Sequence, residues 1–183
     1  MKRFTLCCFL AVISLLVLSA CTKQEKTADA DKAAVKSLMK KYCTADLNGV
    51  NLSTENFLKS GISSFMVAGD SEPPGWDTVT LIKEYAVTSV ELHGTTATAT
   101  VSYDVLGEVP GAEEVAIDKK KVQYSFRLVK KEGIWKLVTP SDLQPHVSVP
   151  TALQHIQNLY DTQKENQPKA PYVMQRLKQL MEQ

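Results

Sequence analysis

Three histidines (His93, His146 and His155) and four cysteines (Cys7, Cys8, Cys21 and Cys43) are the side chains of this 183-residue chain best suited to hold a metal or attack an electrophile. A metal site needs such ligands at close, repeated spacings, and here they are scattered singly through the mature region. A hydroxyl nucleophile needs an adjacent base. Ser63-Ser64 has no histidine nearby, and no G-x-S-x-G, glycine-rich phosphate loop or H-E-x-x-H segment occurs. The motifs therefore name no catalytic residue, no metal ligand and no cofactor. Any chemistry must come from groups that the fold gathers from distant positions.

The cysteines are sorted by their context. Lys2 and Arg3 precede an apolar run from Phe4 to Leu18, and Ser19 and Ala20 are the small residues a signal peptidase needs. The run is shorter than the about 20 apolar residues of a membrane span. Leu18-Ser19-Ala20-Cys21 resembles the lipobox of bacterial lipoproteins. The resemblance implies that residues 1–20 are a signal peptide and that Cys21 is S-diacylglycerated, becomes the N-terminus and is N-acylated by a fatty acid such as palmitate. Thr22, where the inner-membrane sorting pattern has Asp, implies the outer membrane and a periplasmic domain. Two buried acyl chains already give stable anchoring, at about 0.8 kcal/mol per methylene. With Cys7 and Cys8 lost with the signal and Cys21 acylated, Cys43 has no intramolecular disulfide partner. Beside Tyr42 in a helical stretch, it reads as a buried small hydrophobe.

The whole chain carries 21 basic and 20 acidic residues, and loss of Lys2 and Arg3 leaves the mature part nearly neutral. Nucleic-acid binding, which needs a cationic surplus against phosphate, is not expected. The length suits one domain.

The elements that must position these groups follow from periodicity. Residues 21–30 read as the lipidated cysteine and a flexible tether, being small and charged with nothing to bury. From about Ala30, Ala34, Val35, Leu38, Met39 and Tyr42 recur at helical intervals, and Asn48-Gly49 stops the helix. Ser53 caps a second helix with Phe57, Leu58, Ile62 and Phe65 on its buried side. After a break at Ala68–Gly75 come strands. Tyr85–Leu92 is followed by a turn at His93-Gly94-Thr95. Ala97, Ala99, Val101, Tyr103 and Val105 then alternate with Thr96, Thr98, Thr100, Ser102 and Asp104, so one face is apolar and the other is a hydroxyl ladder ending in an acid. A long acidic loop, Glu108–Asp118, precedes Val122–Leu128. Lys130-Lys131-Glu132-Gly133 then turns into Ile134–Val138. Pro140, Pro145 and Pro150 keep the chain extended or looping until a third helix opens at Thr151, and Tyr172–Met181 forms a terminal amphipathic helix that either folds back or docks on a partner.

The fold class is therefore α+β: a curved antiparallel sheet of about four strands packed on N-terminal helices, with extra C-terminal helices. Two helices, a Gly/Pro-rich break and long strands closing on Gly133-Ile134-Trp135-Lys136-Leu137-Val138 resemble the nuclear-transport-factor-two-like superfamily of cystatin-like folds. The matching portion is roughly Asp31 to Asp142 within a domain of residues 31–148, and residues 149–183 are a helical extension without a counterpart. The resemblance implies a sheet wrapped round the first helix and a cone-shaped cavity. Leu38, Tyr42, Ala97, Ala99, Val101, Tyr124 and Phe126 could line that cavity around a small apolar ligand, or could simply fill it. Enzymes of this superfamily, the isomerases and cyclases, place an Asp or His and a Tyr in the cone. Asp77, Tyr85, His93, Tyr103, Asp104 and Tyr124 are the residues that could be recruited here, although none matches a family motif. The expected function is a membrane-anchored, non-enzymatic binding or assembly accessory in the cell envelope, meeting an envelope protein or forming a homodimer through its sheet. A small-molecule carrier or an isomerase- or cyclase-like enzyme is the alternative.

Overall fold

The computed structural model describes residues 27–67, 78–138 and 143–182. The lipobox, Cys21, Asp77 and the Gly/Pro-rich break lie outside the described residues.

Helix α1 covers residues 27–47 and so begins inside the stretch expected to be a tether. Ala28, Ala30, Ala33 and Ala34 carry the highest helix propensity, and Asp29 and Asp31 stand in the first turns, where an acid complements the helix dipole. Val35, Met39 and Cys43 form its most deeply buried stripe, with Leu38 and Tyr42 beside them, whereas Ala34 is exposed. Helix α2, Thr54–Ser60, starts as expected, with Ser53 Oγ accepting the Asn56 N–H at 3.1 Å. At seven residues it is too short to present a full apolar side. Phe57 and Ile62 reach the core, but Leu58 is 66 % exposed and Phe65 37 % exposed.

Five strands follow: β1, Thr78–His93; β2, Thr96–Pro110; β3, Ala116–Lys131; β4, Ile134–Val138; and β5, His146–Ser148. They form one curled sheet in the order β4-β3-β2-β1-β5. Four strands are antiparallel meander neighbours. The fifth corrects the expectation: it is a three-residue strand pairing parallel with β1 at Thr80–Ile82, formed where the chain between Pro145 and Pro150 was expected only to loop. Helices α3, Val149–Thr162, and α4, Ala170–Met181, complete the chain.

Two apolar clusters hold these layers together. In the first, α1 lies in the concave face of the sheet against Ala97, Ala99, Val101, Tyr103, Phe126, Leu128 and Leu137. In the second, α3 and α4 cover the other end, where Ile156, Val173 and Leu177 meet Val79, Leu81, Val109 and Val147. Leu81 and Ile82 are adjacent, both buried, and belong to different clusters, so β1 is covered on both faces there. The basic hairpin is tied to α1 by Asp31, which accepts from Lys130 Nζ at 2.6 Å and from Trp135 Nε1 at 3.1 Å. Its two-residue turn puts Glu132 at φ 51° and Gly133 at φ 80°, the left-handed pair that matches strand twist.

The acidic loop proves shorter than expected because β2 runs on to Pro110 through a register shift between Val105 and Gly107. Gly107 has φ 157°, and a Cβ there would stand 2.1 Å from the Ala116 carbonyl oxygen. Gly107→Ala should therefore break the β2–β3 pairing at that point and lower stability by about 1–3 kcal/mol. A urea midpoint equal to that of the wild type would show that the two strands separate there at little cost.

Candidate functional site

The last turn of α1 carries its one fully buried acid. Asp46 follows Tyr42 and Met39 on the same stripe and is 1 % exposed. Its Oδ1 accepts from Asn51 Nδ2 at 2.8 Å, in the short 3-10 turn Val50–Leu52, and its Oδ2 accepts from the backbone N–H of His146 at 3.0 Å. His146 opens β5 and is equally buried. Its ring stacks on Tyr103 of β2, with centroids 4.3 Å apart, and meets the edge of Tyr124 of β3 at 5.3 Å. Tyr103 Oη lies 3.5 Å from Cys43 Sγ. Thus α1, β2, β3 and β5 each contribute to one polar group inside the first core.

Its electrostatics follow from burial. Desolvation pushes the Asp46 carboxyl up to about 7, against the lowering effect of the His146 and Asn51 donors. The same cause brings His146 down to about 4. Burial pushes the Cys43 thiol up to about 12, so it stays protonated and inert. Tyr42 and Tyr103 are also raised, again chiefly by burial. His146 Nδ1 is 3.9 Å from Asp46 Oδ2, beyond hydrogen-bond reach, and neither ring nitrogen has a hydrogen-bond partner. A carboxyl titrating near neutrality beside a neutral imidazole has the makings of a proton-transfer pair. Its burial separates it from any solute outside the core.

Of the residues the sequence singled out, the fold brings Tyr103 and Tyr124 to this group. Tyr85 stands nearby on β1 but bonds to α1, pairing with Thr44 Oγ1 at 2.7 Å and donating to the Lys40 carbonyl at 3.1 Å. His93 is exposed at the β1–β2 turn, and Asp104 lies on the hydroxyl face, 3.2 Å from Lys121 Nζ. His155 is half-buried on α3. Leu38, Tyr42, Ala97, Ala99, Val101 and Phe126 are all buried members of the first core, with the Tyr42 ring edge-on to Phe126 at 5.7 Å, while Tyr124 remains 38 % exposed at the rim. A cavity of about 220 Å³ opens elsewhere, between Lys32, Ala33 and Lys36 of α1 and Val87–Val90 of β1.

Asp46 and His146 were not anticipated as partners. The available signal was an acid on the apolar stripe of an amphipathic helix, four residues after Tyr42, but nothing local links it to a histidine beyond the last long strand. Among the described residues no group of three metal-ligating side chains occurs. No protein-family model, curated protein or solved structure matches the chain.

Proposed function

We propose that this chain is a bacterial envelope lipoprotein, anchored through acylated Cys21 in the outer membrane, whose periplasmic α+β domain is a non-enzymatic binding or assembly module for an envelope protein. The lipobox supports the anchor. The curled sheet wrapped round α1 supports kinship with the cystatin-like, nuclear-transport-factor-two-like folds. The observation that carries the non-enzymatic reading is the burial of Asp46, His146, Tyr103 and Cys43, each at 1 % exposure. Groups with reactive potential are used as core, and contact with other molecules falls to the surface.

The Asp46–His146 geometry favours one second reading, an isomerase- or cyclase-like enzyme or a carrier, in which the first core opens to admit a small apolar molecule. That reading needs a ligand-bound population of the protein.

Cys21→Ser should move the protein from the membrane fraction to the soluble fraction of its host. Retention of the variant on membranes would contradict the lipid anchor.

A further inference from the structure

Lys32, Lys36 and Lys40 follow one another at four-residue intervals on α1, which places them along one face of the helix. All three are exposed. Lys59, Lys120, Lys121, Lys130 and Lys169 each pair with an acid, whereas among the described residues no ion pair involves Lys32, Lys36 or Lys40. The stripe runs beside the open edge of β1. Strand β5 covers β1 only at Thr80–Ile82, so Lys83–His93 has no strand partner on that side among the described residues. The 220 Å³ cavity lies in this seam, with Lys32 and Lys36 on one wall and Thr88 and Ser89 on the other. Thr88 Oγ1 already donates to the Thr100 carbonyl at 3.1 Å, so the Lys32 and Lys36 ammonium groups, the Ser89 hydroxyl and the edge N–H groups of β1 form the set of anion donors. Two acids stand near: Glu91, which pairs in register with Thr98 on the same sheet face as Ser89 opposite Thr100, and Asp29, one turn before Lys32 on α1, so the three lysines outnumber them.

We propose that the Lys32–Lys36–Lys40 stripe and its groove against β1 form a bilayer-docking face that takes the phosphate headgroups of anionic phospholipids. This rests on the membrane tether read at Cys21, and it adds an orientation to it. Cys21 precedes the first helical residue, Thr27, by six positions, a reach of at most about 20 Å at full extension. Lys23 and Lys26, against Glu25 between them, add one net positive charge to the same end. A helix tied that closely lies where the surface potential of the bilayer acts, within a screening length of about 8 Å. Docking along α1 would set the lysine face and the adjacent edge of β1 against the bilayer.

The test uses the mature chain carrying Cys21→Ser, so that no acyl group contributes, in co-sedimentation with phosphatidylcholine vesicles with and without phosphatidylglycerol. Binding should require phosphatidylglycerol and vanish near 1 M salt, where the screening length is about 3 Å. Each lysine near an anionic surface is worth about fivefold in partitioning, so Lys32→Gln, Lys36→Gln and Lys40→Gln together should cost about a hundredfold. A control with Lys119→Gln, Lys131→Gln and Lys178→Gln loses the same charge elsewhere and should lose much less. Equal losses in the two triple variants, or binding independent of phosphatidylglycerol, would overturn the proposal. Inorganic phosphate that abolishes binding at matched ionic strength would overturn the lipid source in favour of free phosphate. Melting curves of both variants confirm that they fold. The Cys21→Ser background makes these outcomes independent of acylation, which membrane fractionation of the wild type reads separately.

Discussion

Ending the chain at Gln167, and so removing α4, should abolish cooperative folding or leave a marginal fold. Ala170, Val173 and Leu177 are each fully buried against α3 and the sheet. Burial of one Val or Leu side chain contributes about 1.5–3 kcal/mol, and a domain of this size holds a net stability of only about 5–15 kcal/mol. Removal of the helix would also expose Ala152 and Ile156 of α3. A milder version of the same experiment is Leu177→Ala, which should cost about 2–5 kcal/mol in urea unfolding. An unchanged midpoint for either variant would mean that α4 is a detachable docking element, the other role the terminal amphipathic pattern allowed.

The second large effect is a pair of opposite pH slopes. Folding raises the Asp46 pKa from 3.8 to about 7, so its contribution is full below 3.8 and is lost as pH rises to 7. Folding lowers the His146 pKa from 6.5 to about 4, so its contribution is present above 6.5 and is lost as pH falls to 4. Between about pH 4 and 6.5 the two trends oppose each other. The folded pair holds one proton on the carboxyl, the unfolded pair holds one on the imidazole, and the wild type should vary little from this source. Single variants remove the compensation. Asp46→Asn should become more stable relative to wild type as pH rises through that window, and His146→Phe, which keeps a ring against Tyr103, should become less so. Each slope approaches about 1 kcal/mol per pH unit. Urea titrations across the window measure the differences, and parallel profiles for the two variants would refute a folded core that keeps the proton on Asp46 and His146 neutral.

The parts of this fold that are legible from the sequence are those governed by local rules. Strand β2 shows its apolar face at Ala97, Ala99, Val101, Tyr103 and Val105, and each of these is buried. Ser53 announces the start of α2, and Glu132-Gly133 announces the β3–β4 turn. The first residues of β1 were illegible because Val79 to Ile82 are buried on both faces and show no alternation. Continuation of β2 depends on a shift at Gly107 that only the neighbouring strand explains. The interior polar group was illegible for a different reason. Asp46 and His146 meet because the chain returns after β4 to lie beside β1, a long-range contact without a periodic signature.

The proposed binding role depends on a first core that is closed to solutes. The most direct measurement is native mass spectrometry of the mature domain, Thr22 to Gln183, purified gently from its own host. With the core closed, the expected mass is that of the bare polypeptide, as a monomer or a dimer. A co-purifying small molecule that Phe126→Trp or Val101→Phe displaces would contradict it, and would make the Asp46–His146 group a ligand or substrate site.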